Sequence, residues 1–261
     1  MVYKNMKILL TNDDGVDASG ILAAKEAVSE FGETFVVAPA NQKSGIGHAL
    51  SINEPLRPNQ VKLRDNSQAY SVSGTPTDAV TLGIYEIMKE LPDLVISGIN
   101  IGHNLGKGEL TTSGTVSAAM EAASLGIPSI AVSQDILNTK IRFDEGRIDV
   151  DFSPTQKVLK GVVEKIIDKG LPKGIDLLNL NVPSFPDSLE PVVVGLCNRM
   201  YDSSIEKLID PRGKPYYWIV STEYPSYSED SDWYYLHEMN VPTLTPLTLD
   251  MSYNLNKLKN W

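Results

Sequence analysis

Cysteine is nearly absent: Cys197 is the only one in 261 residues. That excludes an internal disulfide and any metal centre built on thiolates. Positive charge is scarce as well, with 23 Lys and Arg against 33 Asp and Glu and a formal net charge of −10. A general nucleic-acid surface needs the opposite balance, so no nucleic-acid polymer is expected as a partner. No apolar run approaches the length of a membrane span, and the N-terminus lacks a signal-peptide apolar region. The expectation is therefore no membrane partner, with the cytoplasm as the default location. Two glycine fingerprints are also missing. No Gly-x-Gly-x-x-Gly occupies the first strand-to-helix turn, and no Gly-x-x-x-x-Gly-Lys-Ser/Thr loop occurs. These absences argue against a nicotinamide enzyme and against a P-loop nucleotidase.

What is present centres on Ile8-Leu9-Leu10-Thr11-Asn12-Asp13-Asp14-Gly15. The apolar run reads as a strand buried on both faces of a parallel sheet. It must stop at the acids, because a carboxylate cannot enter a dry core unpaired. In open α/β sheets ligands bind just past the carboxyl ends of strands, which is where Asp13 and Asp14 fall. Two adjacent carboxylates repel, and a hard divalent cation with oxygen ligands is the simplest relief. The alternative is helix capping, since acids favour a helix N-terminus.

Residues 18–31 carry apolar positions at helical spacing, and Thr34 to Ala38 is a second strand, giving a parallel strand–helix–strand unit. Asn41 to His48 follows as a small, polar, glycine-rich loop that leaves the second strand beside the acids. Short strands are expected at Val61 to Leu63 and Ala69 to Ser73. A helix then starts with Thr75 as cap and Pro76 in first position and continues to Lys89. Asp93 to Ser97 is a buried strand, and Asn100 is expected just past its end, with an amide oxygen able to complete a metal shell. Thr111-Thr112-Ser113-Gly114-Thr115 precedes a helix from Val116 to Leu125. Hydroxyls and a glycine at a helix N-terminus make an anion site, whereas capping alone needs only one hydroxyl. A strand at Ser129 to Ser133, a helix at Ser153 to Lys169 and a strand at Leu177 to Val182 follow.

The fold class is thus α/β with a mostly parallel, Rossmann-like sheet. Beyond about Val192 the character changes: tyrosine and tryptophan crowd the stretch from Tyr201 to Tyr235, and Tyr216 to Thr222 is a strand candidate in otherwise turn-rich sequence. The division expected is a catalytic core over residues 1–190 and a β-rich C-terminal segment over 191–261. So many aromatics suggest a partner surface; a flap packed on the same subunit is the alternative.

These motifs resemble the SurE family of survival-protein phosphatases. Thr11-Asn12-Asp13-Asp14-Gly15 is similar to that family's opening motif, and Gly74-Thr75-Pro76-Thr77-Asp78 to its Gly-Thr-Pro-x-Asp motif. Val95 to Gly106, Ser113-Gly114-Thr115-Val116, Asn181-Val182-Pro183, Asp210-Pro211-Arg212-Gly213 and Thr245-Pro246-Leu247 extend the match through most of the chain. The resemblance implies a three-layer αβα sandwich and a C-terminal arm exchanged between subunits of a homodimer or homotetramer. It implies a metal-dependent 5′-nucleotidase, a phosphomonoester hydrolase acting on nucleoside monophosphates, with 3′ esters and polyphosphate as further substrates left open. One divalent ion per subunit, magnesium or manganese, would be held by Asp13, Asp14, Ser44 and Asn100. This sequence departs from the pattern at His103, where many members have Pro, and at Thr112, where many have Tyr. The stretch from Trp233 to Asn240 lacks the usual Gly.

On that reading Asp13 and Asp14 are catalytic and the nucleophile is water. Asn104, Ser113, Gly114 and Thr115 would bind phosphate, and His48 and His103 are the candidates for protonating the leaving alkoxide. Two other readings remain open. A haloacid-dehalogenase-like phosphatase would form an aspartyl-phosphate, although its acids alternate as Asp-x-Asp where these are consecutive. A non-catalytic nucleotide- or metal-binding module would bind without turnover.

Overall fold

A computed structural model describes residues 6–136 and 150–252 of the chain. The elements run β1 (Met6–Thr11), α1 (Ser19–Val28), β2 (Gly32–Pro39), β3 (Pro58–Lys62), β4 (Gln68–Val72), α2 (Pro76–Leu82) and β5 (Leu94–Ile101). They continue with α3 (Lys107–Leu110), α4 (Gly114–Ser124), β6 (Ser129–Gln134), α5 (Ser153–Lys169), β7 (Leu177–Val182) and β8 (Val192–Val193). The last are β9 (Arg199–Ile209), β10 (Pro215–Ser226) and β11 (Thr243–Leu247).

Among the described residues nine strands form one sheet in the order β3-β4-β2-β1-β5-β6-β7-β11-β8. The run from β4 to β7 is parallel; β3 pairs antiparallel with β4 and β11 antiparallel with β7, while β8 runs parallel to β11. Side chains alternate across this sheet, and the alternation makes two cores. Ile8, Leu10, Leu94 and Ile96 face α1 and α5, while Leu9, Val37 and Val95 face α2 and α4. The result is an αβα sandwich, doubly wound, as expected. β1 has β2 on one side and β5 on the other, so strand order reverses at β1, the point past whose carboxyl edge open α/β sheets bind ligands.

The structure differs from expectation in three places. The helix expected through Lys89 is α-helical only to Leu82 and then widens into a π turn over Gly83–Met88. β5 does not end at Ser97: its register shifts between Ser97 and Asn100, and pairing resumes as Asn100 with Ser133 and Ile101 with Gln134. Asn100 therefore sits inside the strand's last, irregular stretch. The tail holds more strand than expected, because β9 pairs with β10 in a long antiparallel hairpin with Ile205 opposite Ile219. Chain after residue 190 also returns to the main sheet, as β11 inserts between β7 and β8.

Candidate active site

The site grows from the end of β1. Asn12 is buried, and its side chain binds Gly15 twice, accepting from the Gly15 N–H (3.1 Å) and donating to its carbonyl (2.9 Å). That closed turn, with Gly15 at φ +103°, aims two consecutive side chains out of the strand. Asp13 is only 4% exposed. Burial pushes its carboxyl above the ordinary range, against hydrogen bonds from Thr115 and from its own backbone N–H. Asp14 is pushed up to about 7, first by burial and then by the charge of Asp13, with a backbone hydrogen bond from Ile101 opposing. Among the described residues no cationic side chain contributes to either shift.

Three segments close on this pair. The first is α4. Ser113 caps it, its Oγ accepting from the Val116 N–H at 3.1 Å. The Thr115 hydroxyl donates to Asp13 Oδ1 at 2.5 Å, and its backbone N–H also supports that carboxylate. A Cβ on Gly114 would fall 2.7 Å from the Asp13 Cβ, so only glycine admits this approach. Thr115, expected to bind phosphate, has its hydroxyl proton committed to Asp13. Ser113 is the cap, its own N–H donating to the Glu109 carbonyl at 3.1 Å, and Gly114 stands in the first turn, where N–H groups lack partners within the helix.

The second segment is the loop after β2. The Lys43 N–H donates to the Asp13 carbonyl at 2.7 Å, which ties the loop just before Ser44 to the end of β1. Ser44 is exposed, and its hydroxyl accepts from Gln42 Nε2 at 3.0 Å. The third is the end of β5, where the Ile101 N–H makes a long contact of 3.4 Å to Asp14 Oδ2 and so sets Asn100 next to that acid.

Asn104 and the two histidines sit differently. Asn104 is 8% exposed and belongs to a buried network: its N–H goes to Asn181 Oδ1 (2.8 Å), its Nδ2 to Ser133 (2.8 Å), and its carbonyl accepts from Asn179 (2.7 Å). It anchors the loop after β5, with at most one amide proton left for a ligand. His48 Nε2 lies 2.9 Å from Glu121 Oε2. Glu121 is about two turns beyond Gly114 on α4, roughly 10 Å along the axis, so this histidine points down the helix flank. His103 packs edge to face against His237, ring centroids 5.1 Å apart. His237, the third histidine of the chain, was not singled out from sequence. Nothing in its local pattern ties it to the loop after β5; only the tertiary fold does.

Asp13, Asp14, Ser44 and Asn100 offer only oxygen donors that suit a hard dication: two carboxylates, a hydroxyl and an amide. Among the described residues no group of three His, Cys, Asp or Glu is placed to hold a metal ion. The set here would use two acids and complete its shell with neutral oxygens. The paired acids, one buried and one half-buried and both shifted upward, are an uncompensated arrangement of the kind a dication relieves, so the residues fit one.

Fold and edge together define the class: a doubly wound α/β protein whose acid pair and helix N-terminus meet at the carboxyl edge of the sheet. The family model of the survival protein SurE matches residues 8–203. The chain is 55% identical over 98% of its length to the 5′-nucleotidase SurE of Methanobrevibacter smithii, of which the match covers 99%. It is 60% identical to that of Methanothermobacter thermautotrophicus, over 82% of each chain. The crystal structure of the SurE protein from Aquifex aeolicus superposes with a TM-score of 0.78 at 37% identity, covering 97% of both chains. This chain belongs to the SurE family.

Proposed function

We propose that this protein is a metal-dependent 5′-nucleotidase, a phosphomonoester hydrolase that releases inorganic phosphate from nucleoside monophosphates. The observation that carries the reading is the Asp13–Asp14 pair at the switch point, with Asp13 buried and held against the first turn of α4 and Asp14 half-buried beside it. Two of the relatives just described bear the name 5′-nucleotidase.

Asp13, Asp14, Ser44 and Asn100 would hold one magnesium or manganese ion. Such an ion supplies Lewis acidity toward a phosphate oxygen and acidifies water. The chain's own groups do the rest. Thr115 fixes Asp13 in one rotamer, and the Ser113 hydroxyl and Gly114 N–H receive phosphate oxygens at the positive end of α4. Water adds to phosphorus opposite the ester oxygen, the P–O bond breaks, and the alkoxide takes a proton to leave as nucleoside. Asp14 is the less engaged acid, with one long hydrogen bond, and serves as base for the water proton. His48, turned toward Glu121, is poorly placed to protonate the leaving group.

The exposed β9–β10 hairpin is read as the arm of a homodimer or homotetramer. Its support is a surface that carries Tyr217, Trp218, Ile219, Ile205 and Ile209 in the open.

The test is phosphate and nucleoside release from a panel of 5′- and 3′-monophosphates, with magnesium, with manganese and after chelation. Equimolar products that vanish on chelation support the reading. A trapped aspartyl-phosphate, or binding without turnover under every metal, would overturn it.

A further inference from the structure

A run of four aromatic rings starts at His103, in the loop that follows β5, and is not used by the mechanism above. Tyr227 stacks on Trp233 at 4.1 Å, Trp233 meets His237 at 5.0 Å, and His237 meets His103 at 5.1 Å. The run joins two distant parts of the chain, the loop after β5 and the stretch before β11. It is pinned at the carboxyl edge of the sheet. The Gly102 N–H donates to the Gln134 carbonyl (2.9 Å) at the end of β6, and the next residue, Asp135, faces His237 Nδ1 at 3.8 Å. None of the four residues is fully buried: His103 and Trp233 are half-buried, the His237 side chain keeps 25% of its surface open, and Tyr227 is exposed. Aromatic rings packed only for stability are usually covered; these are partly uncovered.

Position along the edge gives them a task. The acid pair leaves β1, Asn100 lies in the last stretch of β5, and the histidines of the run are tied to the ends of β5 and β6. That offset is one to two strand spacings, roughly 5–10 Å, a gap a ribose can bridge. Ile101, whose N–H reaches Asp14, is only two residues from His103, at most about 7 Å of chain.

We infer that His103, His237 and Trp233 form the seat of the nucleobase, receiving its flat face while the phosphate sits at the acid pair and α4. The inference rests on the nucleotidase reading and adds to it the residues that separate nucleotides from simple sugar phosphates. A neutral base gains nothing from the acids nearby but gains from a π surface, and stacking tolerates any base.

The experiment compares kcat/KM for adenosine 5′-monophosphate with that for ribose 5-phosphate, which carries the same ester without the base. The full-length protein is assayed beside His103→Ala, His103→Phe and His237→Ala, the last on the opposite element. The expected result is a selectivity ratio lowered about tenfold in both alanine variants, mainly through KM for the nucleotide, and retained in His103→Phe. A histidine that protonates the leaving group would lower kcat on both esters alike and leave the ratio intact. That result, or an unchanged ratio from any cause, overturns the inference. If the native protein cleaves neither ester, the nucleotidase reading fails instead. The seat is then judged by the same ratio measured as equilibrium binding of the two compounds by calorimetry.

Discussion

The Thr115 hydroxyl stands 2.5 Å from Asp13 Oδ1, tying the first turn of α4 to the end of β1 across 102 residues of sequence. The bond satisfies one oxygen of a carboxylate that is only 4% exposed at the sheet edge. Thr115 is thus a positioning residue acting through Asp13. Thr115→Val keeps the shape and removes the donor. It should lower kcat by about 10–100-fold, the usual cost of losing a partner behind a metal ligand, and weaken metal affinity in parallel. Thr115→Ser should restore most of both. Steady-state kinetics with a metal titration of each variant checks this; equal activity in Thr115→Val and the native protein would contradict it.

Gly114 is the companion constraint. Its missing Cβ is the space that Asp13 occupies, since a methyl group there would come within 2.7 Å of the Asp13 Cβ and 3.0 Å of its Oδ2. Alanine is the better helix former by about 1 kcal/mol, so helix propensity does not disfavour Gly114→Ala. The acid must move instead, and a displacement on the order of 1 Å at a reacting group costs about 10²-fold in rate. The prediction is a folded protein by circular dichroism with activity reduced to that degree. Near-native activity would show that Asp13 need not stay where it is.

The acid pair couples protons to metal. Asp14 titrates at about 7, well above an ordinary carboxylate, because burial and Asp13 oppose its charge. Its folded pKa exceeds its unfolded one, so the folded protein holds the extra proton. Asp14's contribution to the stability of the metal-free protein should therefore be lost as pH rises from about 4 through 7, at up to about 1.4 kcal/mol per pH unit, and Asp13, shifted the same way, adds to the loss. A divalent ion must displace that proton, so metal affinity should rise with pH up to about 7 and level off above. Thermal melts from pH 5 to 8, in chelator and in manganese, read both trends. The chelated Tm should fall across the series and the manganese Tm should not. A chelated Tm that rises with pH would contradict the assignment.

Much of the core was legible. Strict alternation in Ile8-Leu9-Leu10 and Leu94-Val95-Ile96 feeds two faces, and runs apolar on both sides are what a covered parallel sheet requires. The boundaries of α5 and β7 match expectation because a helical apolar stripe and a short leucine-rich run closed by Pro183 leave little choice. Thr75 as cap with Pro76 behind it was also readable. The double use of Asp78 was not: its Oδ2 takes the Thr75 N–H and its Oδ1 the Ser51 N–H, 27 residues away. The same limit hid the role of Thr115. A hydroxyl at a helix N-terminus reads as an anion ligand whether the anion is a substrate or the protein's own buried carboxylate. β9 was missed for a different reason. Most of its residues are exposed on both faces, so no alternation marks it, and its pairing with β10 supplies the order.

The hairpin's surface gives a prediction about assembly. Ile219 opposite Ile205, with Trp218 beside them, leaves apolar side chains open on a two-stranded ribbon that is marginal alone in water. On the arm reading, Trp218→Glu combined with Ile219→Glu should convert the native oligomer to monomer in sedimentation velocity. The far-ultraviolet spectrum of the core should persist. A native protein that already sediments as a monomer would remove the arm from the account.

The most direct measurement is phosphate release from adenosine 5′-monophosphate by native protein and Asp13→Asn, each with magnesium, with manganese and after chelation. The account predicts turnover by the native protein that needs the ion and a loss of several orders of magnitude in the variant, because cation binding and water activation are lost together. Asp13→Asn working at near-native rate with either metal, or native turnover indifferent to chelation, would contradict it.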